Sequence, residues 1–265
     1  YLNGVLRSLM IDDNTVIQAN YYNTNYYKPE YVNENFDCFV IPLADAFREN
    51  FVNELNELTS FVKKLKIPCY VIGVGLKESY EPDFSQSKPQ DEAVKKFVTA
   101  VLEKSNCIGV RGELTGKYLE TLGFAEGRDF MVIGCPSMYM KGKRLHIQNP
   151  KLDVNSKVCF NSNVAASVPT RKFIKLKMKE FENHYFIGQV VNELRSIYLG
   201  APYEYKIEYN FRNVTDKIYQ DGRLRFFCNV PKWMEFLNDS DLTFGSRLHG
   251  NIAAVLAGTP ALLVT

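Results

Sequence analysis

The chain has 265 residues, a hydrophobic fraction of 46%, and 32 Lys and Arg residues against 30 Asp and Glu, which gives a net charge of +2. This balance excludes a disordered tail, a collagen-like repeat and a coiled coil, and the small charge gives no reason to expect a nucleic-acid partner. The longest nearly apolar stretch, 252–264, is interrupted by Gly258, Thr259 and Pro260 and is too short to span a bilayer. The length suits two domains of about 130 residues each.

Six cysteines are spread along the chain, and no two of them form a CxxC pair. A zinc ribbon and a thioredoxin-type redox motif are therefore excluded. Most of the cysteines lie in apolar runs, which indicates reduced core residues in a reducing compartment. The chain shows no leader of basic and then apolar residues, so we expect a cytoplasmic protein.

In chain order, the first half alternates short apolar runs with longer amphipathic stretches. The runs rich in Val, Ile, Phe and Tyr predict strands at 36–41, 68–74, 106–110 and 129–133. Between them, apolar residues at helical spacing predict helices over 44–65, 91–104 and 113–122.

A polar stretch around residues 141–151, with Gly and Pro and no periodicity, is the best candidate for a linker. The sequence thus predicts an N-terminal domain over 1–142, a linker over 143–155 and a C-terminal domain over 156–265. Strands are predicted again at 157–160, 184–188, 224–228, 241–244 and 261–264. This alternation indicates parallel sheets covered by helices, so we expect an α/β protein with two doubly wound, Rossmann-like domains facing a cleft.

The segment after Asp241 carries the clearest chemistry. We expect a strand over 241–244, a turn over 245–250 and a helix over 251–257. Ligands in such folds lie beyond the carboxyl ends of strands, so this turn is a place where a ligand is expected. The turn delivers Arg247, a planar donor for carboxylate or phosphate, and His249, a proton-exchanging group, to the amino terminus of a helix. The alternative is that Arg247 pairs with a buried acid and that His249 caps the helix.

A family resemblance rests on this segment and on two others. The sequence SRLHGNIAAVLAGTPALLV (246–264) resembles the signature of the polysaccharide pyruvyl transferase family. NCIGVRGELTGKYLETLGF (106–124) with DFMVIGCPSMY (129–139) resembles a second part of that family, and FDCFVIPLADAFR with IPCYVIGVGL is similar to its early strands. The resemblance implies two domains like those of two-domain (GT-B-like) glycosyltransferases.

The resemblance also implies a reaction and a site. The reaction would move a pyruvyl group from phosphoenolpyruvate to two sugar hydroxyls, forming a cyclic ketal, with no further cofactor and no metal. The catalytic residues would be His249, as acid or base, with Arg247 and Arg111, which match the anion-binding arginines of the family. Substrate is expected to be bound by Ser246, Arg247, Leu248, His249 and Gly250 of the motif and by Arg111. Apart from the resemblance, the glycines of the strand-end turn, Gly73 and Gly75, are expected to let the backbone approach a ligand closely.

Two other functions stay open at this point. A glycosyltransferase would use the same helix terminus to hold a nucleotide-sugar, and a catalytically inactive homologue would only bind saccharide. The acceptor is expected to be a saccharide, free or linked to a lipid. The basic run 171–179 fits either contact with the inner face of a membrane or a helix with solvated lysines.

The chain departs from the family at both ends. No glycine-rich strand-turn-helix stands in residues 1–20, and the family's basic residue beyond the final strand is not reached before Thr265. We therefore expect the 265 residues to be most of a longer catalytic body, which leaves the acceptor residues and the oligomeric state unassigned.

Overall fold

The computed structural model describes residues 2–9, 11–19, 27–79, 81–163, 165–199, 215 and 217–264. It divides the chain into two compact units, Tyr1–Met140 and Lys141–Thr265. Residues 143–155, predicted as a linker, belong to the second unit, where the Gln148 N–H donates to the Gly258 carbonyl at 2.8 Å.

The first unit is built on a parallel four-stranded sheet in the order β1–β2–β3–β4. Its strands are β1 Phe39–Pro42, β2 Cys69–Val74, β3 Ile108–Val110 and β4 Phe130–Val132. Its helices are α1 Leu2–Ser8, α2 Pro29–Asn35, α3 Val52–Val62, α4 Asp91–Leu102 and α5 Glu113–Thr121, with a 3₁₀ turn at Glu49–Phe51 before α3. All four predicted strands overlap the observed ones.

The predicted helix over 44–65 is wrong in its first part, because α3 begins only at Val52. Residues 43–48 instead run beside the end of β2. The Phe47 N–H donates to the Gly75 carbonyl at 3.1 Å, the Lys77 N–H donates to the Phe47 carbonyl at 3.2 Å, and the Phe47 ring is fully buried. Apolar spacing alone predicts a helix here, but hydrogen bonds to the segment that follows β2 determine the backbone conformation.

The second unit has a five-stranded parallel sheet in the order β7–β6–β5–β8–β9. The strands are β5 Val158–Asn161, β6 His184–Gly188, β7 Leu224–Phe226, β8 Leu242–Gly245 and β9 Ala261–Leu263. The helices are α6 Val168–Met178, α7 Val191–Leu199, α8 Lys217–Gln220, α9 Val230–Asn238 and α10 Leu248–Ala257, and a 3₁₀ segment, Pro136–Arg144, enters the unit.

Both faces of this second sheet are covered. One apolar cluster joins Phe160 of β5 to Ile174 and Met178 of α6, and another joins Cys159 to Leu237 of α9 and Ala254 of α10. Counted within the unit, the strand order is 3-2-1-4-5, which matches five of the six strands of the Rossmann order 3-2-1-4-5-6. The prediction of an α/β fold with two Rossmann-like domains is confirmed.

The strand order locates the place where a ligand is expected. From β5 the chain moves to β6 and β7 on one side, and it later returns to β8 on the other side. The switch point therefore lies between β5 and β8 at their carboxyl ends, which are Asn161 and Gly245.

Candidate active site

The predicted turn is shorter than the sequence indicated. Helix α10 begins at Leu248 rather than at residue 251, so Leu248, His249 and Gly250 form its first turn and Arg247 is its N-cap residue. The Arg247 side chain makes no capping hydrogen bond. The first N–H groups of a helix have no carbonyl partner within it, and together with the helix dipole they favour an anion at this end of α10.

Two buried asparagines hold the motif in place. The side-chain oxygen of Asn161 accepts the Arg247 N–H at 2.8 Å, and the Asn251 side chain donates to the Gly245 carbonyl at 3.0 Å. The two side chains also contact each other, with 3.4 Å from Asn161 Nδ2 to Asn251 Oδ1. Strand β5 thus fixes the backbone of the turn that follows β8.

The guanidinium of Arg247 is bound on two sides. Its Nε donates to the Ser162 carbonyl at 2.9 Å, and its Nη2 forms an ion pair with the carboxylate of Glu193. The Glu193 side chain is 1% exposed. The alternative interpretation of the sequence is therefore correct for Arg247, which pairs with a buried acid.

Glu193 is a positioning residue that the sequence analysis missed. It lies in the first turn of α7, and its other carboxylate oxygen accepts the backbone N–H groups of Gln189 at 2.6 Å and Val190 at 3.3 Å. Glu at this place is half of a capping box. The residue at the N-cap position is Val190 rather than Ser or Thr, so the usual sequence signal of the box is missing.

His249 differs from Arg247 in its surroundings. Its side chain is exposed and makes no hydrogen bond within the part of the chain that the structure describes, so it does not cap the helix. Leu248 is also exposed, at 52%. His249 is thus accessible for exchanging a proton with a bound molecule or with water.

Ser246 and Gly250 have structural roles that need no ligand. The Ser246 hydroxyl accepts the Asn163 N–H at 2.8 Å. A Cβ at Gly250 would lie 2.3 Å from Gln189 Nε2 and 3.2 Å from Asn161 Nδ2, so only glycine lets these two side-chain amides approach the first turn of α10. Their predicted contact with substrate stays a prediction.

A cavity of about 280 Å³ lies at this end of the second unit. It brings together Arg247 and His249 of the motif with residues that follow β6 and β7. Its lining consists of Gly188, Gln189, Val190, Phe227, Trp233, Arg247 and His249. Among the described residues, no charged side chain except the paired Arg247 lines it, and the amide, indole and imidazole groups offer N–H donors.

The first unit places Arg111 directly after β3. Its Nε donates to the Gly73 carbonyl at 3.1 Å and its Nη2 to the Leu43 carbonyl at 3.3 Å. Gly73 has a φ of +73°, and the register between β2 and β3 shifts at this position, as in a β-bulge. Gly75 is buried, and a Cβ there would lie 3.6 Å from the Arg111 Cβ. The Gly73–Gly75 segment therefore positions Arg111, whose contact with the donor stays a prediction.

Comparison with known proteins gives one result for the whole chain. A sequence model of the family described as polysaccharide pyruvyl transferase matches residues 4–265. The chain belongs to the polysaccharide pyruvyl transferase family. Membership indicates an enzyme that transfers a pyruvyl group and acts on a polysaccharide. A search of curated proteins found no match.

The first unit of this pyruvyl transferase carries a larger groove of about 720 Å³. Its lining includes Arg48, Lys77, Glu78 and Lys88 but none of the predicted site residues. The Lys88 ammonium and the Glu78 carboxylate form an ion pair at 3.0 Å within it. We place the candidate active site at the smaller cavity, because the family motif lies there and the charges of the larger groove are mixed in sign.

Two further observations concern metals and membranes. Among the described residues, no group of three His, Cys, Asp or Glu side chains is arranged to hold a metal ion. None of the described helices has the length and apolarity needed to cross a membrane.

The basic run 171–179 lies in α6 and its C-cap. Ile174 and Met178 are buried there while the neighbouring Lys175 and Lys179 are exposed, as a solvated helix face requires.

Proposed function

We propose that the chain transfers the pyruvyl group of phosphoenolpyruvate to two hydroxyls of a polysaccharide or its precursor, forming a cyclic ketal and releasing phosphate. The observation that carries this proposal is the cavity of about 280 Å³ that joins Arg247, His249 and the amino terminus of α10. It combines a site for an anion with a group that exchanges protons.

The donor has two anionic groups, a phosphate and a carboxylate, and the cavity supplies N–H donors for both. The guanidinium of Arg247 has five N–H groups, of which two are used by Ser162 and Glu193 in the contacts given above. The first turn of α10 adds backbone N–H groups that point out of the helix. Because Glu193 neutralises Arg247, this arginine acts mainly as a fixed hydrogen-bond donor.

The reaction needs a proton to be added and two protons to be removed. In the proposed sequence, C3 of the donor takes a proton, and C2 becomes electrophilic. A first sugar hydroxyl adds to C2 and loses its proton. The bond between C2 and the phosphate oxygen then breaks with its electron pair leaving on phosphate, and a second hydroxyl adds to C2 and loses its proton. His249 lines the cavity, and an imidazole can both give and accept a proton.

Two measurements test the proposal. Calorimetric titration should show that phosphoenolpyruvate binds and that nucleotide-sugars do not. Incubation with phosphoenolpyruvate and a polysaccharide panel should release phosphate and give an acceptor whose mass rises by pyruvate less water. Binding of a nucleotide-sugar without binding of phosphoenolpyruvate would favour a glycosyltransferase and exclude the proposal. Donor binding without phosphate release on any acceptor would favour the inactive homologue.

A cytoplasmic location and a lipid-linked acceptor stay predictions.

A further inference from the structure

We infer that Gln189 and Trp233 bind the carboxylate of the donor through their side-chain N–H groups, which leaves the amino terminus of α10 and His249 for the phosphate. This inference rests on the proposed function and assigns two residues that neither the family motif nor the sequence analysis singled out. Both residues line the cavity that contains Arg247 and His249.

The first observation is that both nitrogens are buried and unsatisfied. Gln189 Nε2 and Trp233 Nε1 have no hydrogen-bond partner among the described residues, and neither atom is accessible to solvent. A buried N–H group without a partner costs about 1–3 kcal/mol, and most such groups in proteins are paired. Both nitrogens belong to residues that line one cavity, and a hydrogen-bond acceptor bound there would satisfy them.

The second observation is that the backbone around each residue is fixed. Gln189 directly follows β6, and its N–H is held by the Glu193 carboxylate at 2.6 Å. Its side-chain amide lies against the first turn of α10, as the close approach to Gly250 shows. Trp233 lies in the first turns of α9, which is capped by the Asn229 side chain accepting the Lys232 N–H at 2.9 Å. The backbone of both residues is therefore held in place before a ligand binds.

The chemistry of the two donors favours a carboxylate over a phosphate. An amide and an indole are neutral, and together they offer N–H groups that suit the two oxygens of a group with a single negative charge. The rings of Trp233 and Phe227 add flat apolar walls that suit the planar carbon skeleton of an enolpyruvyl group. A phosphate dianion is better accommodated by the dipole and the free N–H groups at the start of α10.

The chain offers a direct probe, because Trp233 is its only tryptophan. Tryptophan fluorescence should change when phosphoenolpyruvate or pyruvate is added to the wild-type chain, because both carry the carboxylate. Calorimetry then compares the wild type with Trp233→Phe and Gln189→Leu, which keep an aromatic and an uncharged side chain, respectively, and remove the N–H groups. We expect each variant to bind phosphoenolpyruvate at least about tenfold more weakly and to bind inorganic phosphate unchanged.

The control is Gln148→Leu, at a glutamine of the same unit whose side chain donates to the Asn238 carbonyl near the opposite end of α10. It should bind all three ligands as the wild type does. Wild-type affinity for phosphoenolpyruvate in both Trp233→Phe and Gln189→Leu would overturn this inference and leave the proposed function standing. Equal weakening for phosphate and pyruvate would overturn the assignment to the carboxylate. If the wild type does not bind phosphoenolpyruvate, both the inference and the proposed function are overturned.

Discussion

The carboxylate of Glu193 binds the guanidinium of Arg247, and the two side chains are 1% and 13% exposed. The two residues lie 54 positions apart in the sequence, on helices that follow different strands of the second sheet. A buried ion pair fixes the orientation of both groups, since either charge alone would be costly in this environment. The arginine of the family motif is therefore held rigidly at the cavity wall.

Replacing Glu193 should destabilise the chain strongly. Glu193→Ala leaves the Arg247 charge and the N–H groups of Gln189 and Val190 without their acceptor, so we expect the free energy of unfolding to fall by about 3–5 kcal/mol. Urea denaturation measures this change. The control is Glu235→Ala, which removes an exposed ion pair with Lys232 and should cost less than about 1 kcal/mol. Equal stability of the two variants would show that the buried pair does not support the fold.

Asn161 is expected to determine the position of the motif turn. In Asn161→Ala, the Arg247 N–H and the Asn251 side chain lose a buried partner, which should cost about 1–3 kcal/mol and reduce pyruvyl transfer. The matched control is Asn163→Ala, because the one side-chain contact that Asn163 makes with the described residues is to the nearby, exposed Ala165 N–H. Thermal unfolding and phosphate release measure the two effects. A control variant as unstable as Asn161→Ala would contradict the role of the buried network.

Replacing His249 should lower kcat without changing the stability of the fold. Because its side chain is exposed, His249→Ala should unfold at the wild-type temperature while kcat falls by about 10²–10⁴. His146→Ala is the control, since His146 is also exposed and does not line the cavity. The measurement is phosphate release with saturating phosphoenolpyruvate. An active His249→Ala would exclude the acid or base role.

The fold was largely predictable from the sequence, and the site only in part. Strands rich in Val, Ile and Phe stand out between amphipathic helices, and the SRLHG turn identifies the strand end that carries Arg247 and His249. What the sequence does not reveal is the set of residues that contact the turn from other strand ends. Asn161 and Glu193 look like ordinary polar residues near β5 and α7, and only the order of the strands brings them to Arg247.

The six cysteines differ in their burial. All six thiols are free; Cys69 and Cys159 are buried as expected, but Cys38 and Cys228 are exposed. Burial raises the pKa of Cys159 to about 11 and that of Cys69 to about 12. A thiol reagent at about pH 8 should therefore label Cys38 and Cys228 in the native chain, and Cys69 and Cys159 only after unfolding. Mass spectrometry of labelled peptides measures this, and fast labelling of Cys159 in the native chain would contradict its burial.

The buried phenol of Tyr118 should make the free energy of unfolding depend on pH at high pH. Its hydroxyl donates to Asp91 Oδ1 at 2.7 Å, and burial, followed by the hydrogen bond to Asp91, raises the pKa of Tyr118 above its ordinary value of about 10. In the unfolded chain Tyr118 loses its proton first, so its contribution to stability is complete below about pH 10 and is lost as the pH rises further.

Tyr118→Phe should test this dependence. At neutral pH the variant should be less stable by about 1–2 kcal/mol, because Asp91 loses a buried donor. Between about pH 9 and about pH 11 the wild type should lose more stability than Tyr118→Phe, since the variant has no phenol that ionises on unfolding. Urea denaturation at several pH values measures both effects. Parallel loss of stability in the two chains would show that Tyr118 titrates normally in the folded state.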